Sequence, residues 1–305
     1  KCGQPIFCSK SNEDISFPSI GGGTISKIEY GERRRIETIL IDLSDQEETN
    51  TQQSFSLEDI DSLSTESAVD AMKSGCLFSL IRQRPFNNVA NPNQLPRDIF
   101  ISGWNTAPLS VDLDLALRGM RSQFQAGIKV LNKLTKGSVH LSYYENTLSE
   151  TLLDIEDAIS HSLTGPHPAG NVGIQIHHIA PISSGEHVWI VNAQDVVRIG
   201  HFFLTGEFDT RLMISIGGPS VNKPSHIKSR LGAPVKPYID GNIVEGENRI
   251  ISGDVLTGKK ISDSGYIGFY DSAISVVPEG GQREFLGMLR PGTSTSRYSL
   301  TNAFL

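Results

Sequence analysis

Between residues 111 and 134, Leu113, Leu117, Met120, Phe124, Ile128, Leu131 and Leu134 recur every three or four positions. That spacing puts them on one face of a helix, with Asp112 and Asp114 at its positive end and Gly137 closing it. A short apolar run, 98–102, precedes it, and another, 139–143, follows. A second helix is expected from Asn192, a good N-cap, through Val196, Val197, Ile199, Phe203 and Leu204. Strands that alternate with one-faced helices can bury both only by layering the helices on a sheet. This middle region therefore reads as a βαβ-type layered domain. Ahead of it, a helix over 64–75 has Ser64 or Ser67 as its cap and Gly75 as its stop.

The flanks have a different texture. In residues 1–43, period-two alternation runs through 24–30 and again through 36–43, which marks half-buried strands. Gly21-Gly22-Gly23 reads as a tight reversal between strands, since glycine reaches positive φ without penalty. Residues 44–56 are polar and acidic and read as a linker or exposed loop. After residue 210 strands are expected over 211–216, 249–256 and 273–277, with a short helix over 234–239. The expected fold class is thus α/β plus β. At 305 residues the chain is long enough for two or three domains of roughly 100–200 residues.

The net charge of −7 argues against nucleic acid as a partner, because phosphate neutralisation needs a basic surplus. The densest basic run, Arg33-Arg34-Arg35, has Glu32 and Glu37 beside it and reads as a solvated strand or hairpin edge. Three cysteines, Cys2, Cys8 and Cys76, lack disulfide-framework or CxxC spacing, so reduced cytoplasmic thiols are expected. No stretch approaches the roughly 20 apolar residues that span a bilayer. The chain opens on Lys1 as if within a strand and stops on an apolar Leu305; a soluble piece of a longer protein, trimmed at both ends, is expected.

Two strings stand out chemically. Arg82-Gln83-Arg84-Pro85-Phe86 joins two guanidinium forks, suited to a carboxylate, phosphate or quinone carbonyl, to an aromatic able to stack on a ring. Alternatively it is a surface loop salt-bridged to the acidic linker. Gly165-Pro166-His167-Pro168-Ala169-Gly170 is a rigid bend in which Gly165, Pro166, Pro168 and Gly170 shape a loop presenting His167. Alternatively it is a structural turn. His177-His178 and His187 lack metal-site spacing, and flanking Ile176, Ile179 and Val188 suggest strand alternation instead. The 21–23 glycines do not open a helix as a dinucleotide fingerprint requires, and no Walker A or GxSxG sequence occurs. No catalytic residue and no metal is therefore expected.

In order along the chain, several of these segments resemble one family. Besides the two strings they are Phe124-Gln125-Ala126-Gly127, Gln194-Asp195-Val196-Val197, Gly206-Glu207, Gly246-Glu247-Asn248-Arg249-Ile250-Ile251-Ser252-Gly253 and Arg290-Pro291-Gly292. They resemble the A subunit of the bacterial sodium-translocating NADH:quinone reductase. The resemblance implies a partial barrel-sandwich (biotinyl/lipoyl-like) unit over 1–45. It further implies a Rossmann-like domain over 46–208, related to the flavin subunit of complex I, and a ubiquitin-like β-grasp (SLBB-like) domain over 209–285. Residues 286–305 would start a C-terminal segment. No lysine is expected at a lipoyl- or biotin-type hairpin tip, that place being glycine-rich.

The resemblance also implies a function: a peripheral subunit on the cytoplasmic side of the bacterial inner membrane, in a complex that oxidises NADH, reduces quinone and exports Na⁺. NADH, flavins and iron–sulfur centres would belong to other subunits, so no cofactor is expected on this chain. Partners would be those subunits, which also carry the membrane association, and quinone. Arg82, Arg84, Pro85, Phe86 and His167 are the quinone-contact candidates. The competing expectations are a purely structural interaction module, and a flavin- or NADH-binding enzyme like the complex I relative.

Overall fold

The computed structural model describes residues 1–280. The expected 286–305 segment, Arg290-Pro291-Gly292 and the last residues of the expected 209–285 domain lie outside the described residues. The chain begins with two antiparallel hairpins. Strand β1 (Pro5–Ser9) pairs with β2 (Asn12–Pro18), and β3 (Gly23–Tyr30) pairs with β4 (Ile36–Leu43).

One expectation changes here. The tip of the first hairpin is Lys10-Ser11, and the glycine-rich place is no hairpin tip. The glycine run joins the two hairpins and is not a reversal at positive φ. Its glycines are required by close approach: a Cβ on Gly22 would lie 2.8 Å from the Glu48 carbonyl oxygen. The Gly22 amide also donates to the Glu47 carboxylate at 2.9 Å. The acidic stretch is accordingly a fastened belt and not a free linker. The Cys2 amide donates to the carbonyl of Glu48, Asn50 to that of Cys2, Gln52 to that of Gly206, and Phe55 to that of Phe203, all at 2.7–2.8 Å.

The α/β layer follows. Helix α1 (Leu57–Ser62) carries a capping box between Ser56 and Asp59, which the polar 44–56 stretch concealed. Helix α2 (Thr65–Ser74) is capped by Ser64 and ends at Gly75, as expected. Then come β5 (Ile81–Arg84), β6 (Asn88–Val89), β7 (Ile99–Ser102), α3 (Leu113–Ala116), α4 (Arg121–Lys133), β8 (Val139–Tyr144), β9 (Ile159–Leu163), α5 (Val172–Ile179), β10 (Val188–Asn192) and α6 (Ala193–Thr205). The sheet order is β6-β5-β10-β7-β8-β9; β10, β7, β8 and β9 run parallel, and β5 is antiparallel to β10.

The single helix expected over 111–134 is two. Gly119, at φ +75°, breaks it, and Asp112 caps the first piece through the amides of Asp114 and Leu115. Leu113, Leu117, Phe124, Ile128, Leu131 and Leu134 are nevertheless all buried. Periodicity thus located the buried face but not the continuity of the backbone. His177 and His178, expected on a strand, sit on α5, whose Ile176 packs with Phe100 and Val188. A short apolar run with interspersed histidines serves a helix turn as well as a strand face here.

Alternation along the strands splits the core in two. Ile99, Ile101, Leu141, Trp189 and Val191 face α4 and α6, while Phe100, Val188 and Ile190 face α5. The closing sheet comprises β11 (Arg211–Gly217), β12 (Ser225–Arg230), β13 (Asn248–Ser252), β14 (Lys259–Ile261) and β15 (Ala273–Pro278), with short α7 (Lys236–Ile239) after β12. Its order is β12-β11-β15-β13-β14, with β11 and β15 parallel at the centre, a β-grasp arrangement. Ile214, Ile216, Val235, Ile274 and Val276 join the same apolar core as the α4/α6 layer. Arg230 ties this sheet to the belt through Glu47 at 2.7 Å.

Candidate functional site

Strand β5 explains the two arginines. Residues two apart point to the same face, so Arg82 and Arg84 share one face while Gln83 takes the other. Gln83 accepts a hydrogen bond from the Trp189 indole at 3.3 Å on that opposite side. Pairing with β10 sets Arg82 across from Ile190 and Arg84 across from Val188, which places both on the α5 side of the sheet. The Arg82 guanidinium lies 4.7 Å from the ring centroid of Tyr270 and donates to the Asn87 carbonyl. The Nε of Arg84 is buried without a partner. Burial, and secondarily the charge of Arg82, push the Arg84 pKa down. Among the described residues neither arginine makes an ion pair, so the salt bridge to the acidic belt does not form.

Both arginines line a cavity of about 650 Å³, within the usual range of ligand pockets. Ser102 at the end of β7 and Asn192 at the end of β10 form part of its wall, as do Gly170 to Gly173 at the start of α5. Thr257 and Tyr270 reach it from the β-grasp domain. The strand order proceeds from β7 outward to β9, then returns to place β10 on the other side of β7. The cavity therefore lies at the carboxyl edge where the order reverses, the usual ligand position in open α/β sheets.

The loop before α5 is held by Thr106, whose Oγ1 accepts the Gly170 amide at 2.9 Å and hydrogen-bonds His167 Nδ1 at 3.1 Å. A Cβ on Gly170 would strike Thr106, and Gly165 needs its φ of +127°. The Asn171 side chain makes no cap bond, so the Val172 and Gly173 amides, first donors of α5, keep no intrahelical partner.

Of the candidates, Arg82, Arg84 and Gly170 meet at the cavity; Pro85, Phe86, Gly165, Pro166, His167 and Pro168 do not line it. Phe86 is 83% exposed. Sequence reasoning missed Ser102, Gly173, Asp195 and Tyr270 as wall residues and saw Asn192 only as a cap. A polar residue closing an apolar strand was the available signal for Ser102 and Asn192. Tyr270 had none, because it arrives from another domain.

Beneath α5, His140 of β8 and His161 of β9 share a hydrogen bond of 3.0 Å, with the His140 ring stacked on Phe100. Burial pushes both imidazoles below the ordinary 6.5, for His140 despite Asp98 at 3.9 Å. Each therefore binds its proton less tightly in the folded chain than in the unfolded one. Stability is thus fully present above about pH 6.5 and is lost as pH falls toward the folded values. Urea unfolding between pH 7.5 and about 5 is expected to show this loss, and His161→Gln to flatten it. An unchanged slope in the variant would remove the pair as its source.

Burial also pushes the Cys76 thiol up to about 11, leaving it unreactive at neutral pH. Among the described residues no cluster of three or more His, Cys, Asp or Glu could hold a metal ion, and no helix is long and apolar enough to cross a membrane.

A switch-point cavity in an α/β layer, set between a hairpin unit and a β-grasp sheet, defines a composite, three-part class of α/β protein. Three family models divide the chain in the same sense. Residues 1–44 match the NqrA N-terminal barrel-sandwich hybrid domain, 63–208 the NqrA second alpha/beta domain, and 213–263 the NQRA C-terminal domain. Among curated proteins, NqrA of Rhodopirellula baltica, the A subunit of its Na(+)-translocating NADH-quinone reductase, is 37% identical over 99% of this chain and 66% of its own length. The same protein of Histophilus somni is 34% identical, over 100% and 68%. The chain belongs to the NqrA family, the A subunits of Na(+)-translocating NADH-quinone reductases, and spans about two thirds of the length of these relatives. A crystal structure of an NAD+-reducing [NiFe]-hydrogenase superposes at TM-score 0.47 and 11% identity, over 70% of this chain and 47% of that one.

Proposed function

We propose that this chain works within a Na⁺-translocating NADH:quinone reductase and contacts quinone through the β5–α5 cavity. The observation that carries the first half is similarity along the whole chain to relatives named for that enzyme. The cavity supports the second half. Its volume suits a quinone ring, Arg82 and Arg84 supply N–H donors for carbonyl oxygens, and Leu80, Ile190 and the Tyr270 ring supply apolar walls. The protein would sit peripherally on the cytoplasmic side. Partner subunits would provide membrane attachment and hold NADH, flavins and iron–sulfur centres.

Quinone titration of the full-length protein, followed by NMR shifts or fluorescence, tests this. Arg84→Gln is expected to weaken binding by about tenfold or more, the scale of one hydrogen bond from a charged donor. Phe86→Ala is expected to leave binding unchanged, its ring lying outside the cavity. No response to quinone, or indifference to Arg84→Gln, would sink the contact.

A second reading, a structural docking role without a ligand, is favoured by the exposure of Phe86 and Leu148. It expects Phe86→Ala to impair assembly of the complex while quinone kinetics in the assembled enzyme stay intact.

A further inference from the structure

The cavity's polar end has a chemistry that a neutral quinone does not use up. Two guanidinium groups stand on one face of β5, two residues apart, with no carboxylate paired to either among the described residues. Like charges so placed repel, and the Arg84 Nε is buried with no acceptor. The first turn of α5 lines the same space, and its Val172 and Gly173 amides lack intrahelical acceptors. One acid, Asp195, also reaches the wall, but Arg198 neutralises it.

We infer that this end of the cavity is a phosphate subsite, in which Arg82, Arg84 and the opening amides of α5 bind a phosphate group, free or carried as an ester on a larger ligand. A phosphate offers acceptor oxygens in several directions and up to two negative charges, matching two cations and a helix N-terminus arranged around one space. A carboxylate offers one plane and one charge. The subsite goes beyond the quinone reading, since the opening amides of α5 serve it alone, while Arg82 and Arg84 serve both readings.

The test uses the full-length protein titrated with inorganic phosphate, then with adenosine monophosphate and with acetate, and followed by amide and arginine Nε–H shifts. Shifts are expected at Val172, Gly173, Arg82 and Arg84. Gly173→Asp sets a carboxylate at the helix start, where a Cβ meets nothing within 4 Å, so folding is preserved. It is expected to lower phosphate affinity by about tenfold or more, and Arg84→Gln likewise. Tighter binding of the monophosphate identifies an ester of a larger ligand; equal binding identifies free phosphate. Acetate binding as tight as phosphate overturns the assignment. So do shifts scattered over surface lysines and unmoved by Gly173→Asp, or no response at all. A quinone response that survives Gly173→Asp alongside a failed phosphate titration removes the subsite and keeps the quinone reading. Phosphate binding without a quinone response does the reverse.

Discussion

Replacing Arg198 with alanine is expected to destabilise the protein by about 3–5 kcal/mol, the cost of breaking a buried ion pair from one side. Arg198 is a middle residue of α6 and only 2% exposed. Its Nε donates to the Asp209 carbonyl at 2.6 Å, its Nη2 to the Arg211 carbonyl at 2.9 Å, and its Nη1 to the Asp195 carboxylate. Alanine would strand the Asp195 charge, which burial already pushes toward its neutral form against the pull of Arg198. It would also orphan two carbonyls where the chain leaves α6 for β11. Lysine keeps the charge but not the fork, so Arg198→Lys should recover only part of the loss. Urea unfolding at pH 7 reads the effect; a loss below about 1 kcal/mol would show that the pair contributes little.

The second large effect is expected from Gly200→Val, at about 3 kcal/mol or more. Helices α4 and α6 meet backbone to backbone at two glycines. A Cβ on Gly200 would collide with the Gln123 carbonyl and lie 2.7 Å from the Gly127 amide nitrogen. A Cβ on Gly127 would collide with the Val196 carbonyl. Added side-chain atoms must therefore push the helices apart and open the core around Phe124 and Val196, because the obstacle is backbone that cannot rotate away. Gly173→Ala in α5 is the contrast, since open space there leaves only the helix-propensity gain of up to about 1 kcal/mol. Thermal unfolding of the three proteins compares them. A Gly200→Val variant as stable as the parent would mean that α4 and α6 slide freely.

The close approach of α4 and α6 was not legible beforehand. Gly127 belongs to a string that carried the family resemblance, yet nothing in its neighbours told that another helix's carbonyl lies against it. The same holds for Gly22, whose constraint comes from Glu48. Gly119 is the opposite case: its break in the 111–134 pattern lay in the sequence, and the unbroken apolar face concealed it.

What the sequence determined by itself was local. Ser64, Asp112 and Asn192 cap helices because a short side chain accepts an amide two or three residues on, within one turn. The alternation of strand and helix required layers because each element had one apolar face to bury. The shared face of Arg82 and Arg84, by contrast, follows from the two-residue strand period only because residues 81–84, read as a loop, form β5. What only the tertiary structure decided was which residues gather around those arginines. The cavity wall draws on β5, β7, α5, β10 and the β-grasp domain, from Leu80 to Ser272. Strand order and the crossover through α5 bring these together, and neither leaves a mark on the residues that end up facing one another. Phe86, two residues after Arg84 and just beyond Pro85, lies outside the cavity for the same reason: nearness in sequence does not carry a side chain around a turn.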